Sequence, residues 1–429
     1  MYLHPVETQS RDQLAQLQLQ RLRETLARAV RSPFYRRLLA QTGVAPETLR
    51  DLTDLRHLPF TCKEDLRAQY PYGLVACERA DLVRLHVSSG TTGVATVVFH
   101  TASDLAHWTE LVARCMYMVG MRRKDVFQNM TGYGMFTGGL GMHYGAERLG
   151  CLTVPAGAGN TQRQVQLLRD FSVTAIHVIP SYALYLGAYL EREGIDPATL
   201  SLRVALVGAE PYTDEARRRI EMLLGAHAYN SYGLSEMNGP GVAFECPEQD
   251  GMHLWEDAYL AEVVDPQTLL PVPDGELGEL VLTTLQRDGM PILRYRTKDL
   301  TRFLPGVCPC GRTHRRIDRI AGRSDDMLII KGVNIFPMQI EQVLMAIPAV
   351  AQNYLVIVEH AGEVAQLRVQ VEINDEHYAA ASLPDLAQRI AHKLRDEILV
   401  MPRVDLLPRH SLSQTEGKAQ RVVHRLLEA

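Results

Sequence analysis

The chain has 429 residues, of which 46% are hydrophobic and 22% charged, and its formal net charge at pH 7 is −5. This length predicts more than one domain and excludes a single small binding module. Proteins that bind nucleic acids or anionic membranes usually carry a basic excess, which this chain lacks, so we expect an enzyme acting on small molecules.

The sequence indicates neither secretion nor a membrane anchor. The amino terminus has no basic start followed by an apolar stretch, and the most apolar segment, residues 175–190, is interrupted by His177 and Pro180. Four of the seven cysteines are scattered, as reduced thiols are: Cys62, Cys77, Cys115 and Cys151. We therefore expect a cytoplasmic protein that binds neither membrane nor nucleic acid.

Strands and helices alternate along most of the chain, which predicts an α/β architecture. Leucines at helical spacing predict an amphipathic helix between residues 11 and 40. Strands are expected at residues 83–87, 94–99, 174–179, 203–208 and 279–284. A further helix should run over residues 213–224, with Thr213 as its amino-terminal cap and Gly225 as its stop.

The pattern changes near Gly322, where a short polar run leads into a strand-like segment at residues 327–330. The remainder is the size of a small separate domain. We therefore predict a large amino-terminal α/β domain, residues 1–324, and a small carboxy-terminal α+β domain, residues 325–429.

A loop rich in glycine and hydroxyl groups follows the strand at residues 83–87. Its residues are Ser88, Ser89, Gly90, Thr91, Thr92 and Gly93. Glycines allow a tight turn that points backbone N–H groups inward, and hydroxyls add donors, so the loop suits a polyphosphate. On composition alone an ordinary hairpin turn fits equally well.

Four later segments stand in a fixed order after this loop: Tyr232-Gly-Leu-Ser-Glu236, Arg294-Tyr-Arg-Thr-Lys-Asp299, Gly322-Arg-Ser-Asp325 and Glu416-Gly-Lys418. Together with the loop they resemble the adenylate-forming superfamily of acyl-coenzyme A ligases, over nearly the whole chain. The string from Arg323 to Pro337, with the segment from Tyr133 to Gly141, is similar to phenylacetate–coenzyme A ligases.

The resemblance implies a two-step reaction that uses ATP, Mg²⁺ and coenzyme A. A carboxylate and ATP give an acyl-adenylate and pyrophosphate, and coenzyme A then displaces AMP. Lys418 matches the residue that bridges the substrate carboxylate and the α-phosphate, where it would neutralise developing charge. Without that context it is a solvated lysine in a basic tail.

The resemblance also assigns the nucleotide site. Asp299 would accept from the ribose hydroxyls, Tyr232 would stack on adenine, and Glu236 would hold Mg²⁺. The alternatives from the residues alone are a surface ion pair of Asp299 with Arg296 or Lys298, a core tyrosine and a solvated carboxylate. The other residues that match this site are Gly208, Ala209, Glu210, Pro211, Gly233, Ser235 and Arg323.

In the resembled enzymes the small domain moves between the two reaction steps. Asp325 matches the hinge residue, and Lys331 and Gly332 match a turn that lines the coenzyme A tunnel. An ordinary interdomain linker would carry similar residues. One departure stands out, because the loop continues Gly93-Val94 where the family usually has Gly-Lys, so a cation near the triphosphate is missing.

The three remaining cysteines and one histidine predict a structural zinc site. Cys308 and Cys310 lie on a Pro/Gly turn, and Cys246 and His253 lie in an earlier loop, which gives a Cys₃His set suited to tetrahedral Zn²⁺. His314 is the reserve ligand. Three reduced cysteines and a histidine without a metal are the alternative.

The acyl substrate is expected to be an aryl carboxylate. In phenylacetate–coenzyme A ligases the glycine-rich segment 131–145 forms part of the aryl pocket, to which Tyr133, Phe136, Gly138, Gly139 and Pro240 would belong. Small residues leave space for a ring and aromatic residues pack on it edge to face. Close packing of a strand and a helix is the alternative for each of these residues.

Two other functions stay open. The enzyme could load an adenylated acid onto a carrier-protein thiol, or the cysteines with the basic run 312–319 could form a zinc-containing nucleic-acid module. The acidic net charge opposes the second. A homodimer is also compatible with the sequence.

Overall fold

The fold is taken from a computed structural model that describes residues 2–88, 95–135, 137–330, 333–361, 364–380, 383–412 and 421–426. The chain divides into two compact units. The first contains residues 1–178, 200–209 and 229–319, and the second contains residues 179–199, 210–228 and 320–429. The predicted boundary at residue 325 stays a prediction.

The helices are α1 (Arg11–Ala29), α2 (Pro33–Ala40), α3 (Lys63–Ala68), α4 (Ala102–Met118), α5 (Thr137–Leu149), α6 (Thr161–Asp170), α7 (Pro180–Arg192), α8 (Asp214–Leu224), α9 (Pro337–Met345), α10 (Asp375–Ala380) and α11 (Leu383–Ile398).

The strands are β1 (Leu82–Ser88), β2 (Thr96–Thr101), β3 (Val126–Asn129), β4 (Leu152–Val154), β5 (Ala175–Val178), β6 (Val204–Gly208), β7 (His227–Leu234), β8 (Gly239–Glu245), β9 (Met252–Leu254), β10 (Tyr259–Val264), β11 (Gly278–Thr284), β12 (Tyr295–Thr301), β13 (Phe303–Leu304), β14 (Arg316–Ile317), β15 (Gly322–Arg323), β16 (Leu328–Ile330), β17 (Val333–Ile335), β18 (Val350–Ala361), β19 (Val364–Ile373), β20 (Arg403–Pro408) and β21 (Val422–Leu426).

The first unit is built on a mixed nine-stranded sheet with the order β13-β14-β9-β8-β7-β6-β5-β3-β4. Strands β4, β3, β5 and β6 run parallel. The residues of β5 and β6 are all buried and, apart from His177, non-polar, as in sheets covered on both faces. From β7 to β13 the neighbouring strands run antiparallel. The expected α/β architecture is confirmed.

Two smaller antiparallel arrangements complete the first unit. Strands β1 and β2 form a hairpin whose arms flank the loop that begins at Ser88, with Ser88 opposite Thr96. Strands β10, β11 and β12 form a separate sheet. This sheet carries Asp299 on its strand β12.

The second unit has its own apolar core. Strand β18 pairs antiparallel with β19 and parallel with β21, and β20 pairs parallel with β19. Residues of this sheet, including Val356 and Val369, share the core with Ile340 of α9 and Ile390 of α11. In the same unit α7 and α8 pack closely, since a Cβ at Gly187 would lie 2.5 Å from Leu223 Cβ.

The segment expected as one helix over residues 11–40 is two helices. Helix α1 buries Leu14, Leu22 and Leu26 and ends at Ala29. Ser32 then caps α2 by accepting the N–H of Tyr35, and Pro33 occupies the first helical position. A proline there lacks the N–H that continuing the first helix would require, so the chain restarts.

The helix expected at residues 213–224 is confirmed. The Thr213 side chain accepts the N–H of Ala216, and Gly225 ends the helix with a φ of +63°. The strands expected in the first unit also form, each within two residues of its predicted bounds. Within the described part of the chain, no helix is both long and apolar enough to cross a membrane.

Candidate active site

Two residues predicted to bind the nucleoside meet in the first unit. Tyr232 lies on β7 and Asp299 on β12, and the Tyr232 hydroxyl donates to Asp299 Oδ2 over 2.6 Å. Both residues are only 8% exposed. A buried carboxylate that accepts a short hydrogen bond is fixed in orientation, and an ionised carboxylate can accept several hydrogen bonds, as binding to vicinal hydroxyls requires.

The cations beside Asp299 in sequence have another carboxylate as their partner. Arg296 forms two hydrogen bonds with Glu279, of 2.9 and 2.8 Å, and Lys298 Nζ lies 3.7 Å from the same carboxylate. Glu279 is fully buried. Pairing of these two cations with Glu279 disfavours the alternative in which Asp299 is simply their surface partner.

Glu236, the predicted magnesium ligand, lies in a 3₁₀ turn, Ser235–Met237, directly after β7. Two buried donors hold consecutive carbonyls of this turn. Arg287 Nη1 donates to the Glu236 carbonyl, and the Tyr259 hydroxyl donates to the Met237 carbonyl over 2.8 Å. The side chain of Ser235 lies 3.2 Å from the Thr137 hydroxyl at the start of α5.

The turn therefore has a fixed backbone that presents the Glu236 side chain, which is buried. Among the residues that the structure describes, the Glu236 carboxylate accepts no hydrogen bond and forms no ion pair; Arg287 donates to the Glu236 carbonyl instead. Oxygen is the ligand atom that Mg²⁺ prefers, so this carboxylate suits a magnesium ion.

The segment Gly208 to Pro211 follows the buried strand β6. A Cβ at Gly208 would lie 2.3 Å from the Ser231 carbonyl oxygen, so only glycine fits there. Ala209 has a φ of +71°, an uncommon conformation for alanine. In the second unit Glu210 accepts from the Ser181 N–H and hydroxyl, both over 3.1 Å.

The glycine-rich segment expected to border an aryl group rests on Asn129, which ends β3. The buried Asn129 side chain donates to the Gly139 carbonyl over 2.7 Å and to the Tyr133 hydroxyl over 3.0 Å. A Cβ at Gly139 would lie 2.3 Å from the Gly132 carbonyl oxygen. Burial raises the pKa of Tyr133, so its hydroxyl stays protonated and can donate.

Pro240, on β8, packs close to this segment. The indole N–H of Trp108 donates to the Pro240 carbonyl over 2.8 Å. A Cβ at Gly141 would lie 2.4 Å from the Trp108 ring and 2.9 Å from Pro240 Cγ. The structure thus brings Gly141 of this segment together with Pro240 and Trp108, and leaves no space for a side chain at Gly141.

The four residues predicted to bind zinc form a cluster in which their ligand atoms all lie within 4.8 Å of one another. Cys246 Sγ lies 3.6 Å from Cys308 Sγ, and Cys310 Sγ lies 3.2 Å from His253 Nε2. A tetrahedral zinc ion would place its sulfur ligands about 3.8 Å apart, and sulfur and nitrogen about 3.6 Å apart. The donor set and its spacing therefore fit Zn²⁺.

The neighbours of the cluster also fit a metal site. His253 Nδ1 lies 3.1 Å from the His314 carbonyl, and this hydrogen bond leaves Nε2 facing the sulfurs, as metal-bound histidines usually do. Hydrogen bonds from Cys246 and His253 lower the pKa of Cys310, which favours the thiolate. His314, the reserve ligand, lies outside the cluster, and its ring contacts the Val6 carbonyl over 3.0 Å.

Two residues near the predicted hinge meet in the second unit. Arg323 Nε and Nη2 lie 2.9 and 3.0 Å from the two carboxylate oxygens of Asp325, and both side chains are partly exposed. Arg323 thus forms a bidentate ion pair with a carboxylate only two residues away along the chain.

Several predicted site residues lie outside the described residues: Ser89, Gly90, Thr91, Thr92, Gly93, Phe136, Lys331, Gly332 and Lys418. Val94, where a loop lysine was expected, is also outside them. Their assignments stay predictions.

Sequence reasoning missed Arg287, Tyr259, Trp108 and Asn129. Arg287 lies in a Gln-Arg-Asp-Gly segment that matches no functional motif. The sequence around the other three indicates only core aromatic residues or the end of a strand. Their partners are distant along the chain, since Arg287 contacts a residue 51 positions earlier and Trp108 one 132 positions later. No local pattern could have revealed these contacts.

Family models match two parts of the chain. The AMP-binding enzyme model matches residues 20–286, and the AMP-binding enzyme C-terminal domain matches residues 332–425. The chain therefore belongs to the AMP-binding enzyme family and has the adenylate-forming enzyme fold.

Within that family the chain is similar to phenylacetate–coenzyme A ligases. The one from Pseudomonas putida is 47% identical, covering 99% of this chain and 97% of the relative. The one from Thermus thermophilus is 45% identical, covering 99% of each. A solved 2-hydroxyisobutyryl-CoA ligase in the postadenylation state, in complex with R3-HIB-AMP, is 28% identical with a TM-score of 0.93, covering 99% of this chain and 94% of that one.

Proposed function

We propose that this protein ligates an aryl-acetic acid, with phenylacetate as the leading substrate, to coenzyme A through an acyl-adenylate, releasing AMP and pyrophosphate. The observation that carries the reaction class is the buried Tyr232–Asp299 pair, together with the fixed Glu236 turn, which directly follows the strand of Tyr232. The substrate class is supported by the near full-length similarity to phenylacetate–coenzyme A ligases.

In this proposal Asp299 accepts the two ribose hydroxyls and the Tyr232 hydroxyl holds its carboxylate in place. A buried and oriented acceptor selects a ribonucleotide, because a ligand that lacks a hydroxyl leaves the carboxylate with an unfilled position. The Tyr232 ring provides a flat surface for adenine.

Adenylation requires charge to be neutralised as the carboxylate oxygen attacks the α-phosphorus. Lys418 is proposed to supply one cation there, and Glu236 to hold the Mg²⁺ that supplies further positive charge when bound. Backbone N–H groups and hydroxyls of the loop from Ser88 to Gly93 are proposed to orient the phosphates in the absence of a lysine at position 94.

For the acyl group we propose the segment bordered by Tyr133, Gly139 and Pro240. The Asn129 side chain holds this segment by hydrogen bonds to Tyr133 and Gly139, and Trp108 holds Pro240 by a hydrogen bond to its carbonyl. A flat apolar ring is the ligand that such glycine-lined and aromatic surroundings accommodate.

We also propose that Cys246, His253, Cys308 and Cys310 hold a structural Zn²⁺. A four-ligand site of this kind leaves no coordination position for substrate, so it would stabilise its two loops without taking part in the reaction. Protein purified without added metal should contain about one zinc per chain. A content far below that would refute this part of the proposal.

The two half-reactions test the assignment of Lys418. Lys418→Ala should abolish phenylacetate-dependent exchange of pyrophosphate into ATP, yet leave thioester formation from synthetic phenylacetyl-adenylate within about twofold, because only the first step needs that charge. Lys393→Ala, on the same small domain, serves as the control and should affect neither step. Equal losses in both half-reactions would overturn the role given to Lys418.

A further inference from the structure

Arg287 is a fully buried arginine in the loop between β11 and β12, and only 1% of it is exposed. Its guanidinium bridges two segments by donating to backbone carbonyls. One Nη donates to the Glu236 carbonyl in the turn that carries the candidate magnesium ligand, and the other lies 3.4 Å from the Phe99 carbonyl on β2. Strand β2 is the arm by which the chain leaves the predicted phosphate loop.

Burying the Arg287 guanidinium in this way costs free energy, because a buried charge is unfavourable when it lacks an ion pair. Within the described residues Arg287 has no ion pair, and its Nε is buried without a hydrogen-bond partner. Burial lowers the pKa of Arg287, and the nearby Asp104 and Glu236 carboxylates, which favour its charge without forming an ion pair with it, offset only part of this effect. A buried arginine is usually paired with a carboxylate, as Arg114 is with Asp257 over two contacts of 3.0 Å.

The loop that carries Arg287 is itself held in place. Asp104, a fully buried residue at the start of α4, accepts the N–H of Asp288 over 2.6 Å and the N–H of Gly289 over 3.0 Å. The same carboxylate accepts the N–H of Thr101, which follows Phe99 by two residues. Asp104 therefore fixes both the backbone beside Arg287 and the end of the strand that Arg287 contacts.

The Glu236 turn has a second buried donor. The Tyr259 hydroxyl donates to the Met237 carbonyl over 2.8 Å, so two consecutive carbonyls of the turn are held from the same unit. Arg287 differs from Tyr259 because it also contacts the Phe99 carbonyl on β2. Arg287 alone of the two ties the turn to the hairpin that flanks the phosphate loop.

We infer that Arg287 is a positioning residue for Mg–ATP, which acts through Glu236 by fixing the Glu236 turn against the hairpin of β1 and β2. This inference rests on the proposed function. The guanidinium is suited to the task because its planar fork can donate to two carbonyls at once, whereas a lysine ammonium is a point charge that cannot reproduce that geometry.

The test is the magnesium dependence of phenylacetate-dependent pyrophosphate exchange at saturating phenylacetate. Arg287→Lys keeps the charge and should raise the Mg²⁺ concentration for half-maximal rate about tenfold, the effect of losing one hydrogen bond to a charged donor. Arg114→Lys is the matched control, because it makes the same change at another buried arginine of the same unit. Arg114→Lys should change the Mg²⁺ concentration for half-maximal rate by less than about twofold.

A double variant separates positioning from general destabilisation. If Arg287 acts through Glu236, Arg287→Lys combined with Glu236→Gln should be no more impaired than Glu236→Gln alone. The inference would be overturned if the effects of Arg287→Lys and Glu236→Gln multiplied in the double variant. It would also be overturned if Arg287→Lys and Arg114→Lys raised the Mg²⁺ concentration for half-maximal rate equally. Tyr259→Phe, which removes the Met237 contact, should raise the Mg²⁺ concentration for half-maximal rate less than Arg287→Lys does, and an equal or larger rise would overturn the inference. If Arg287→Lys fails to fold, the same measurement is made on Arg287→Gln, whose shorter amide cannot bridge both carbonyls, and an unchanged Mg²⁺ requirement refutes the inference.

The outcome also distinguishes this inference from the proposed function. A wild-type protein that exchanges no pyrophosphate with any aryl acid would refute the proposed function, and the inference with it. An active wild type with an unshifted Arg287 variant would refute the inference alone.

Discussion

Replacement of Asp299 by asparagine tests the ribose site with little disturbance of the fold. The substitution keeps the shape of the side chain and one oxygen that can still accept from the Tyr232 hydroxyl, which now lies 2.6 Å from Oδ2. It removes the negative charge and replaces one acceptor oxygen by a donor group. The two ribose hydroxyls would then share a single neutral acceptor.

The size of the effect follows from the hydrogen bonds concerned. Bonds to a charged group contribute about 1.5–3 kcal/mol and neutral ones about 0.5–1.5 kcal/mol, so each ribose contact should weaken by about 1 kcal/mol. Two contacts give about 2 kcal/mol, which corresponds to about 30-fold weaker binding of ATP. The rate at saturating ATP should change far less, because the ribose does not react.

The sharpest assay compares ATP with 2′-deoxy-ATP and 3′-deoxy-ATP in the wild type and in Asp299→Asn. The wild type should bind each deoxynucleotide about tenfold more weakly than ATP, the effect of one missing hydrogen bond to a buried charge. Asp299→Asn should lose most of this discrimination. Lys298→Gln, at the neighbouring position, keeps the carboxylate and should discriminate as the wild type does.

If Asp299→Asn still preferred ATP over both deoxynucleotides as strongly as the wild type does, Asp299 would not be the ribose acceptor. That result would place the ribose elsewhere and leave the Tyr232–Asp299 contact as a structural one. A loss of affinity shared equally by ATP and the deoxynucleotides would also contradict the assignment.

Three further predictions concern stability. Cys308→Ser should lower the zinc content and the melting temperature together, whereas Cys77→Ser, at a thiol outside the cluster, should change neither. Arg114→Met should lower the free energy of unfolding in urea by about 3 kcal/mol, because the buried Asp257 carboxylate loses both of its short contacts and, among the described residues, keeps only Arg21, at 3.6 Å, as an ion-pair partner; a loss below about 1 kcal/mol would contradict this. Burial lowers the pKa of His177 to about 3. The unfolded chain therefore takes up a proton near pH 6.5 that the folded chain does not. The free energy of unfolding should fall as the pH drops from about 6.5 towards 3. His177→Asn should make the free energy of unfolding less dependent on pH between about 6.5 and 3, and an unchanged dependence would refute the role given to His177.

Much of the fold was accessible from the sequence where the determinants are local. Thr213 and Gly225 cap α8 as expected, because caps depend on side chains within a turn of the helix end. The interruption between α1 and α2 was missed, although Ser32 and Pro33 mark it, because the leucine spacing continues across the break. Periodicity alone does not locate such a break.

The candidate site was predictable in part. Tyr232 and Asp299 came from motifs, and the structure adds the hydrogen bond between them, which joins residues 67 positions apart. Likewise, the cysteine and histidine spacing indicated the metal ligands, but the choice of His253 over His314 depends on how β9 and β14 pair. Arg287 could not be found from the sequence, because its role depends on carbonyls, which every residue possesses.

The proposed ligase activity is tested by supplying a panel of carboxylates with ATP, Mg²⁺ and coenzyme A and quantifying AMP, pyrophosphate and thioester together. We predict that phenylacetate gives equal amounts of the three products, at a higher kcat/KM than benzoate, an aliphatic acid or 2-hydroxyisobutyrate. AMP release without thioester would instead indicate a different acceptor, such as a carrier-protein thiol. No AMP from any aryl acid would contradict the account.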